Sequence, residues 1–252
     1  MFLNAGQQMR YNRQIILEGF GEEGQQRLLQ SKVLLVGVGG LGSPIALYLA
    51  AAGVGQLGIV DGDNVDVSNL QRQIIHSTPK AGRLKVDSAE ERINALNPDV
   101  KVVKYPFFLH EEQLLSIIDE YDFVVDGSDN FTTKYLINDA CVKRGKPCSI
   151  GGINRYTGQL MTYVPGSACY RCLFPQPPVT EKAQPSMPSG VLGSIAGVIG
   201  TMQATECLKY LTGVGQLLTN TLLLFDALTM EWQRIHFEHN DNCLFNHEKH
   251  VF

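Results

Sequence analysis

Lys32-Val33-Leu34-Leu35-Val36-Gly37-Val38-Gly39-Gly40-Leu41-Gly42 decides the fold of this chain. A Val- and Leu-rich run stops at three glycines spaced G-x-G-x-x-G, and the small apolar residues Ser43 to Ala52 follow as a helix packed on a sheet would. That order is a strand, a turn and a helix. Gly37 permits the tight turn, Gly39 lets a phosphate approach the backbone, and Gly42 lets the helix pack closely. The first helical turn offers unpaired N–H groups and a partial positive charge to an anion. Gly40 removes one more side chain from the anion's path. The motif points to a nucleotide and leaves open which one.

Outward from that stretch the chain keeps alternating. Gln56 to Asp61 reads as a second strand ending in Asp61-Gly62-Asp63, followed by a polar loop from Val65 to His76. Lys85 to Leu96 places Val86, Ala89, Ile93 and Leu96 on one helical face, and Asn97-Pro98 ends it. Lys101 to Tyr105 is a strand, Glu111 to Glu120 a helix and Phe123 to Asp126 a buried strand. Ser128-Asp129-Asn130 supplies cap residues for a helix from Thr132 to Arg144, and Pro147 to Ile150 is a further strand. This alternation predicts a mostly parallel sheet covered on both faces. Ahead of it, Glu22 to Gln30 reads as a short amphipathic helix and Arg10 to Leu17 as a basic, mixed segment.

Beyond Gly151 the texture changes. Gln159 to Val164 alternates as a strand, and Cys169-Tyr170-Arg171-Cys172 follows. Five of the eleven prolines fall between Pro175 and Pro188, which marks a loop or crossover. Ser194 to Leu211 is a helix carrying Gly197 and Gly200, with Gly193 at its start, and Leu222 to Asp226 with Glu231 to Phe237 makes an antiparallel pair. Small residues on that helix permit close approach, either to a second subunit or within one. The later part is too short and strand-poor to fold alone. We therefore expect a single domain over 1–252, with a nucleotide-binding half over 1–150 and a second half over 151–252.

Composition narrows the class. Hydrophobic residues make up 44% and charged residues 18%, ordinary for a soluble globular chain. A net charge of −4 argues against a broad nucleic-acid surface. No apolar run reaches the roughly 18 residues that span a bilayer, and Met1 to Arg13 carries no signal-peptide core. The expectation is a cytoplasmic protein with no nucleic-acid or membrane partner. Its six cysteines are then buried, metal-bound or catalytic rather than paired.

Asp61 stands about 20 residues past the glycines, where an acid bonds ribose hydroxyls or simply closes a turn. NAD and ATP are equally allowed to this point. Arg13, Arg72 and Lys85 favour ATP, because displacing pyrophosphate needs positive groups on the leaving phosphates. Asp129, just past the strand Phe123 to Asp126, either holds Mg²⁺ beside a triphosphate or only caps the helix.

The string Arg10-Tyr11-Asn12-Arg13, the glycine loop, Asp61, Ser68-Asn69-Leu70-Gln71-Arg72-Gln73, Lys85, Asp129-Asn130 and Cys169-x-x-Cys172 closely resembles the ThiF/MoeB/HesA family. These are bacterial relatives of ubiquitin-activating enzymes, and the resemblance runs from about Arg10 to about Cys243. It implies a Rossmann-like α/β fold, a mostly parallel sheet with helices on both faces plus an antiparallel C-terminal section. It implies adenylation of the C-terminal glycine of a ubiquitin-like sulfur carrier ending in Gly-Gly, with ATP and Mg²⁺, in a homodimer serving thiamine or molybdopterin synthesis. By resemblance the nucleotide contacts are Gly37, Gly39, Gly40, Gly42, Asp61, Ser68, Asn69, Leu70, Gln71, Arg72, Lys85, Asp129 and Asn130. Arg13, Arg72, Lys85 and Asp129 would be catalytic, with Arg13 reaching into the other subunit.

Three departures from the family pattern stand out. Cys169-x-x-Cys172 is half of a zinc site by spacing, and the family's second C-x-x-C is here Cys243-Leu244-Phe245-Asn246-His247. His247 is the expected fourth ligand beside Cys169, Cys172 and Cys243, with His250 a weaker candidate; the opposing reading is a degenerate site without metal. Ser186 stands where many relatives carry a crossover-loop cysteine, so adenylation without a covalent enzyme–carrier link is expected. Lys134 stands where relatives often have arginine, keeping charge and losing the planar fork. Two other classes compete with the adenylating enzyme. An NAD-dependent oxidoreductase would share only the glycine loop and Asp61, and a carrier-binding module would have lost its chemistry.

Overall fold

The computed structural model describes residues 3–178 and 190–245. Eight strands form one sheet in the order β3-β2-β1-β4-β5-β6-β7-β8. The parallel part is β1 (Lys32–Val36), β2 (Gln56–Val60), β3 (Lys101–Tyr105), β4 (Phe123–Asp126) and the start of β5 (Cys148–Asn154). β6 (Thr157–Tyr163), β7 (Thr221–Asp226) and β8 (Glu231–His236) extend it antiparallel. The mostly parallel α/β sheet with an antiparallel C-terminal section is therefore present. Residues 150 and 151, where the sequence texture shifts, lie inside β5.

β1 explains how one sheet serves two cores. Val33 and Leu35 join the apolar layer with Ile45, Leu49, Ile93, Ile195 and Ile199. Leu34 and Val36 join the opposite layer with Leu114, Val124, Tyr135 and Met161. Alternation on a pleated strand sends successive side chains to opposite faces, and a parallel strand covered on both reads as continuous apolar sequence. Leu34, Leu35, Leu57 and Ile59 are fully buried, each worth roughly 1.5–3 kcal/mol.

α3 (Gly42–Ala52), α4 (Lys85–Leu96) and α8 (Gly193–Thr212) cover the first face; α5 (Glu111–Ile117), α6 (Phe131–Arg144) and the single turn α7 (Tyr170–Leu173) cover the second. α8 packs within the subunit, since a methyl on Gly200 would sit 2.5 Å from the Leu41 carbonyl oxygen and one on Gly193 2.3 Å from that of Gln71. Among the described residues no helix is long and apolar enough to cross a membrane.

The structure refines two sequence expectations. Most of the basic, mixed segment Arg10 to Leu17 belongs to α1 (Ala5–Ile15), started by a capping box in which the Asn4 and Gln7 side chains each accept from the other's backbone N–H. α1 docks through Tyr11, buried at 2%, whose hydroxyl accepts from Asn97 at 2.8 Å. β5 also runs four residues past Ile150, because Gly151 lets the strand pass against Gln203 of α8; a methyl there would lie 2.4 Å from that side chain. α2 (Gly21–Gln30) matches its expected bounds within one residue.

Candidate active site

The glycine loop is built by close approach. Gly37 adopts φ +89°, and a Cβ on Gly42 would sit 1.9 Å from the Gly37 carbonyl oxygen. Both glycines are needed to turn β1 into α3. Leu41, the residue before α3, gives no side-chain cap to the helix. Gly39 and Gly40 line a cleft of about 1820 Å³ at the carboxyl edge of the parallel strands.

Val38 is held from two sides. Its N–H donates to Asp61 Oδ2 at 2.9 Å, and its carbonyl accepts from His76 Nε2 at 2.9 Å. A carbonyl only accepts, so Nε2 carries the proton and Nδ1 accepts from the Ser88 hydroxyl at 3.0 Å. Burial lowers the His76 pKa, which keeps this neutral tautomer. Asp61 also accepts from Asp63 N at 2.9 Å. Burial raises its pKa, with Lys85 opposing. One bond on each oxygen leaves acceptor capacity, since a carboxylate offers about four lone-pair sites.

The expected cations arrive beside this loop. Lys85 opens α4, is buried at 5%, and its ammonium meets Asp63 Oδ2 at 2.8 Å. Arg72 donates to Asn69 Oδ1 at 2.8 Å. Gln73 is buried at 5% with its Oε1 unpaired among the described residues, and its amide nitrogen lies 3.4 Å from where a Gly39 methyl would stand. A buried polar atom left without a partner at the glycine loop is what a ligand hydroxyl or amine would satisfy.

On the other side of the loop, three neighbouring residues divide their work. Ser128 donates to Asp126 Oδ1 through N and Oγ. Asn130 caps α6 by accepting from Thr133 N at 2.9 Å. Asp129 is exposed, lines the cleft and makes no hydrogen bond or ion pair among the described residues. The capping role left open for Asp129 thus belongs to Asn130. Beneath them Lys134, 5% exposed, donates to Asp126 Oδ2 at 2.8 Å, to the Ser128 carbonyl at 2.9 Å and to the Gly151 carbonyl. Three acceptors converging on one point suit an ammonium, so the lost arginine fork has no role there.

Of the expected nucleotide contacts, Gly39, Gly40, Asp61, Arg72, Lys85 and Asp129 share the cleft. Gly37 and Gly42 shape the turn behind it. Ser68, Asn69, Leu70 and Gln71 do not line it: Ser68 bonds Asp66, Asn69 holds Arg72, and the Gln71 carbonyl packs on the start of α8. Arg13 is exposed in the last turn of α1, outside this subunit's cleft. Asp63 and Gln73 also line the cleft and His76 supports its loop; the first two lie inside the Asp61-Gly62-Asp63 and Ser68-to-Gln73 motifs, whereas His76 carries no local signal.

The far sulfur cluster is equally well framed. Cys169, Cys172 and Cys243 bring their Sγ atoms within 4.8 Å of one another. The Cys169–Cys172 and Cys169–Cys243 distances are 3.9 and 3.6 Å. Zinc bonded to sulfur at about 2.3 Å in a tetrahedron gives edges near 3.8 Å, so the three thiols fit a zinc site. Cys172 is held down at about 4 by the Cys169 thiol donating to it. α6 anchors the knuckle: Asn138 accepts from Tyr170 N at 2.8 Å, and Asp139 takes a bidentate pair from Arg171 at 2.6 and 2.8 Å. Asn246, His247, His250 and Ser186 lie outside the described residues. Cys141, Cys148 and Cys207 are fully buried.

A glycine turn, two cations and a loop carboxylate gathered at the carboxyl edge of a mostly parallel sheet define a class: α/β proteins that hold an anionic ligand at the strand ends. Within that class the chain belongs to the ThiF family, which matches it over residues 11–245. It is similar to the sulfur carrier protein adenylyltransferase of Thermus thermophilus, 45% identical over 93% of this chain and 89% of that protein. It is also 51% identical to the adenylyltransferase and sulfurtransferase MOCS3-1 of Zea mays over 87% of this chain, and spans about half (47%) of that protein. Among solved structures, E. coli MccB crystallised with succinimide has the same fold, with a TM-score of 0.84 at 21% identity over 93% of this chain and 73% of that one.

Proposed function

We propose that this chain is an ATP-dependent adenylyltransferase that activates the C-terminal glycine of a ubiquitin-like sulfur carrier. The carrier would be of the ThiS or MoaD type, for thiamine or molybdenum cofactor synthesis. The observation that carries the proposal is the meeting of Arg72, Lys85 and Asp129 with Gly39 and Gly40 in one cleft. An NAD enzyme needs neither the two cations nor Asp129, and a bare binding module has no use for the whole set.

The carrier's terminal carboxylate attacks the α-phosphorus, a P–O bond forms, the α–β P–O bond breaks, and pyrophosphate leaves with the electron pair. A carboxylate is already a nucleophile, so no general base is needed. The protein must instead hold two anions together and neutralise charge on the leaving group. Asp61 is suited to the ribose hydroxyls, Gln73 to the ligand edge beside Gly39, and Arg72 and Lys85 to the phosphates. Strands β5 to β8 give the cleft a long second wall with Asn154, Gln159 and Trp232 along it, which suits an extended tail.

Mg²⁺ fits the charge of the site. The described residues lining the cleft carry three cations, Arg72, Lys85 and Lys134, against five carboxylates, so a polyphosphate needs added positive charge. Asp129 would hold the ion, which supplies that charge beside the phosphates. Arg13 of a second subunit would add another cation in a homodimer. Zinc on Cys169, Cys172 and Cys243 would tie the C-terminal segment to α6. The described chain then works as one domain, its first half binding nucleotide and its second half the carrier. Six free cysteines suit the reducing cytoplasm.

The test is ATP–pyrophosphate exchange with Mg²⁺, with and without a Gly-Gly carrier of the thiamine or the molybdopterin type. Exchange should require a carrier, and Asp129→Ala should lower it at least about 100-fold, as removal of a transition-state charge partner does. A folded protein without carrier-dependent exchange would refute the proposal.

A further inference from the structure

We infer that His239 is the fourth protein ligand of the zinc site; the inference rests on the reading of Cys169, Cys172 and Cys243 as three of its ligands. Structural zinc is four-coordinate, and three thiols leave one position to fill. His239 Nδ1 lies 3.9 Å from Cys172 Sγ. A zinc-bound sulfur and a zinc-bound nitrogen in a tetrahedron stand about 3.6 Å apart, from bond lengths of about 2.3 and 2.0–2.1 Å. The other ring nitrogen, Nε2, faces the Gly166 carbonyl oxygen at 3.4 Å. A ligating histidine characteristically gives its second N–H to such an acceptor, which fixes the tautomer with Nδ1 toward the metal.

The backbone between His239 and Cys243 is folded for this. Asn240 donates from its side chain to the Cys172 carbonyl at 3.1 Å and accepts from Asn242 N at 2.9 Å, while its own carbonyl accepts from Cys243 N at 2.8 Å. That turn brings residues 239 and 243 to the same side of the Cys169–Cys172 knuckle. His239 is exposed and lies outside the mutual 4.8 Å cluster of the three sulfurs, so its ring must turn from its place beside Cys172 toward Cys169 and Cys243 to complete the tetrahedron. The site is then His-x3-Cys with Cys-x2-Cys, and the cysteine missing at Asn246 is replaced from upstream rather than by His247 downstream.

The experiment measures zinc stoichiometry and chelator-competition affinity on the full chain for wild type, Cys169→Ser, His239→Ala, His247→Ala, His250→Ala and His239→Cys, together with cobalt(II) spectra. Wild type should hold one zinc per chain, and Cys169→Ser should lose it. His239→Ala should weaken zinc by at least about 10- to 100-fold, the loss already seen for outer-shell partners. His247→Ala and His250→Ala should match wild type. His239→Cys should restore tight binding and raise the thiolate-to-cobalt charge-transfer band by about a third, as three thiolates become four. Wild-type affinity and an unchanged cobalt spectrum in His239→Ala would overturn the assignment while leaving zinc intact. A wild-type chain with no more zinc than Cys169→Ser would overturn the zinc reading itself.

Discussion

Lys134→Met is the most informative single change in this fold. The Lys134 and Asp126 side chains are 7% and 0% exposed, and their 2.8 Å contact is buried under the cleft. Removing the ammonium leaves Asp126 Oδ2 charged and without its donor, although Oδ1 keeps the two Ser128 bonds. An uncompensated buried charge costs about 3–5 kcal/mol. In a chain of this size each kcal/mol moves the melting midpoint by about 2–4 °C, so Lys134→Met should melt about 6–20 °C below wild type. Asp126→Asn made in the same chain removes the orphaned charge, and the double variant should recover about 2 kcal/mol or more. Thermal melts by circular dichroism, with urea titrations of all four chains, give the double-mutant cycle. Its coupling energy should clear the roughly 0.5 kcal/mol scatter of independent sites. A Lys134→Met midpoint within 2 °C of wild type, or single effects that simply add, would refute the account of Lys134 as a buried counter-ion.

Three further outcomes are expected. Gly42→Ala forces a methyl onto the Gly37 carbonyl at 1.9 Å and should cost about 3 kcal/mol or more, whereas Gly40→Ala meets Ala196 and Arg72 at 3.4–3.6 Å and should melt within about 1 kcal/mol of wild type while raising the KM for ATP. Asn130→Ala removes the α6 cap bond and should cost about 1 kcal/mol, but Asp129→Ala should leave the melting midpoint unchanged; a reversal of these two in a melt would show the cap was misassigned. His76 has a pKa lowered by burial in the folded chain and an ordinary 6.5 when unfolded. Its contribution is whole above pH 6.5 and is lost as pH falls toward the lowered folded value, with a slope no steeper than about 1.4 kcal/mol per pH unit. His76→Gln should flatten urea stability between pH 7 and pH 5, and superimposable profiles would contradict the buried neutral tautomer.

What could be read from the residues follows the range of the forces involved. β1 and β4 were legible because strands buried on both faces spell unbroken apolar runs, and α4 because its apolar stripe sits at helical spacing. α1 was not, since Tyr11 is its only buried described residue and its start signal is a side-chain exchange between Asn4 and Gln7 rather than a stripe. The string of Asp61, Arg72, Lys85 and Asp129 was legible as a resemblance, but the partners that position those groups were not. His76 acts on Val38 from 38 residues away, and no local pattern announces such a bond. Ser128, Asp129 and Asn130 all look like caps, and which one serves turns on a single residue of offset in the helix start. For the metal, spacing directed attention downstream of Cys243. Among the described residues a nitrogen near Cys172 belongs to His239, four residues upstream in a turn set by Asn240, while His247 lies outside them.

Two lysine–aspartate pairs of the same 2.8 Å length stand at and beneath the cleft, and burial assigns them opposite duties. Lys134 and Asp126 are both enclosed, so neither can leave without stranding the other's charge. Lys85 is enclosed, at 7% side-chain exposure, but Asp63 is 53% exposed. Asp63 can return to water at little cost, because a half-solvated ion pair is worth about 1 kcal/mol or less. Lys85 is meanwhile anchored at the start of α4, where its backbone N–H donates to the Asp63 carbonyl at 2.9 Å. A phosphate oxygen arriving beside Lys85 therefore exchanges one anion for a more highly charged one, with no lysine to desolvate or reorient. The same exchange at Lys134 would have to expose Asp126 and open the Ser128 loop that presents Asp129. One pair leaves its lysine ready to exchange a half-solvated partner for an incoming anion, and the other is the floor under the Ser128–Asp129 loop.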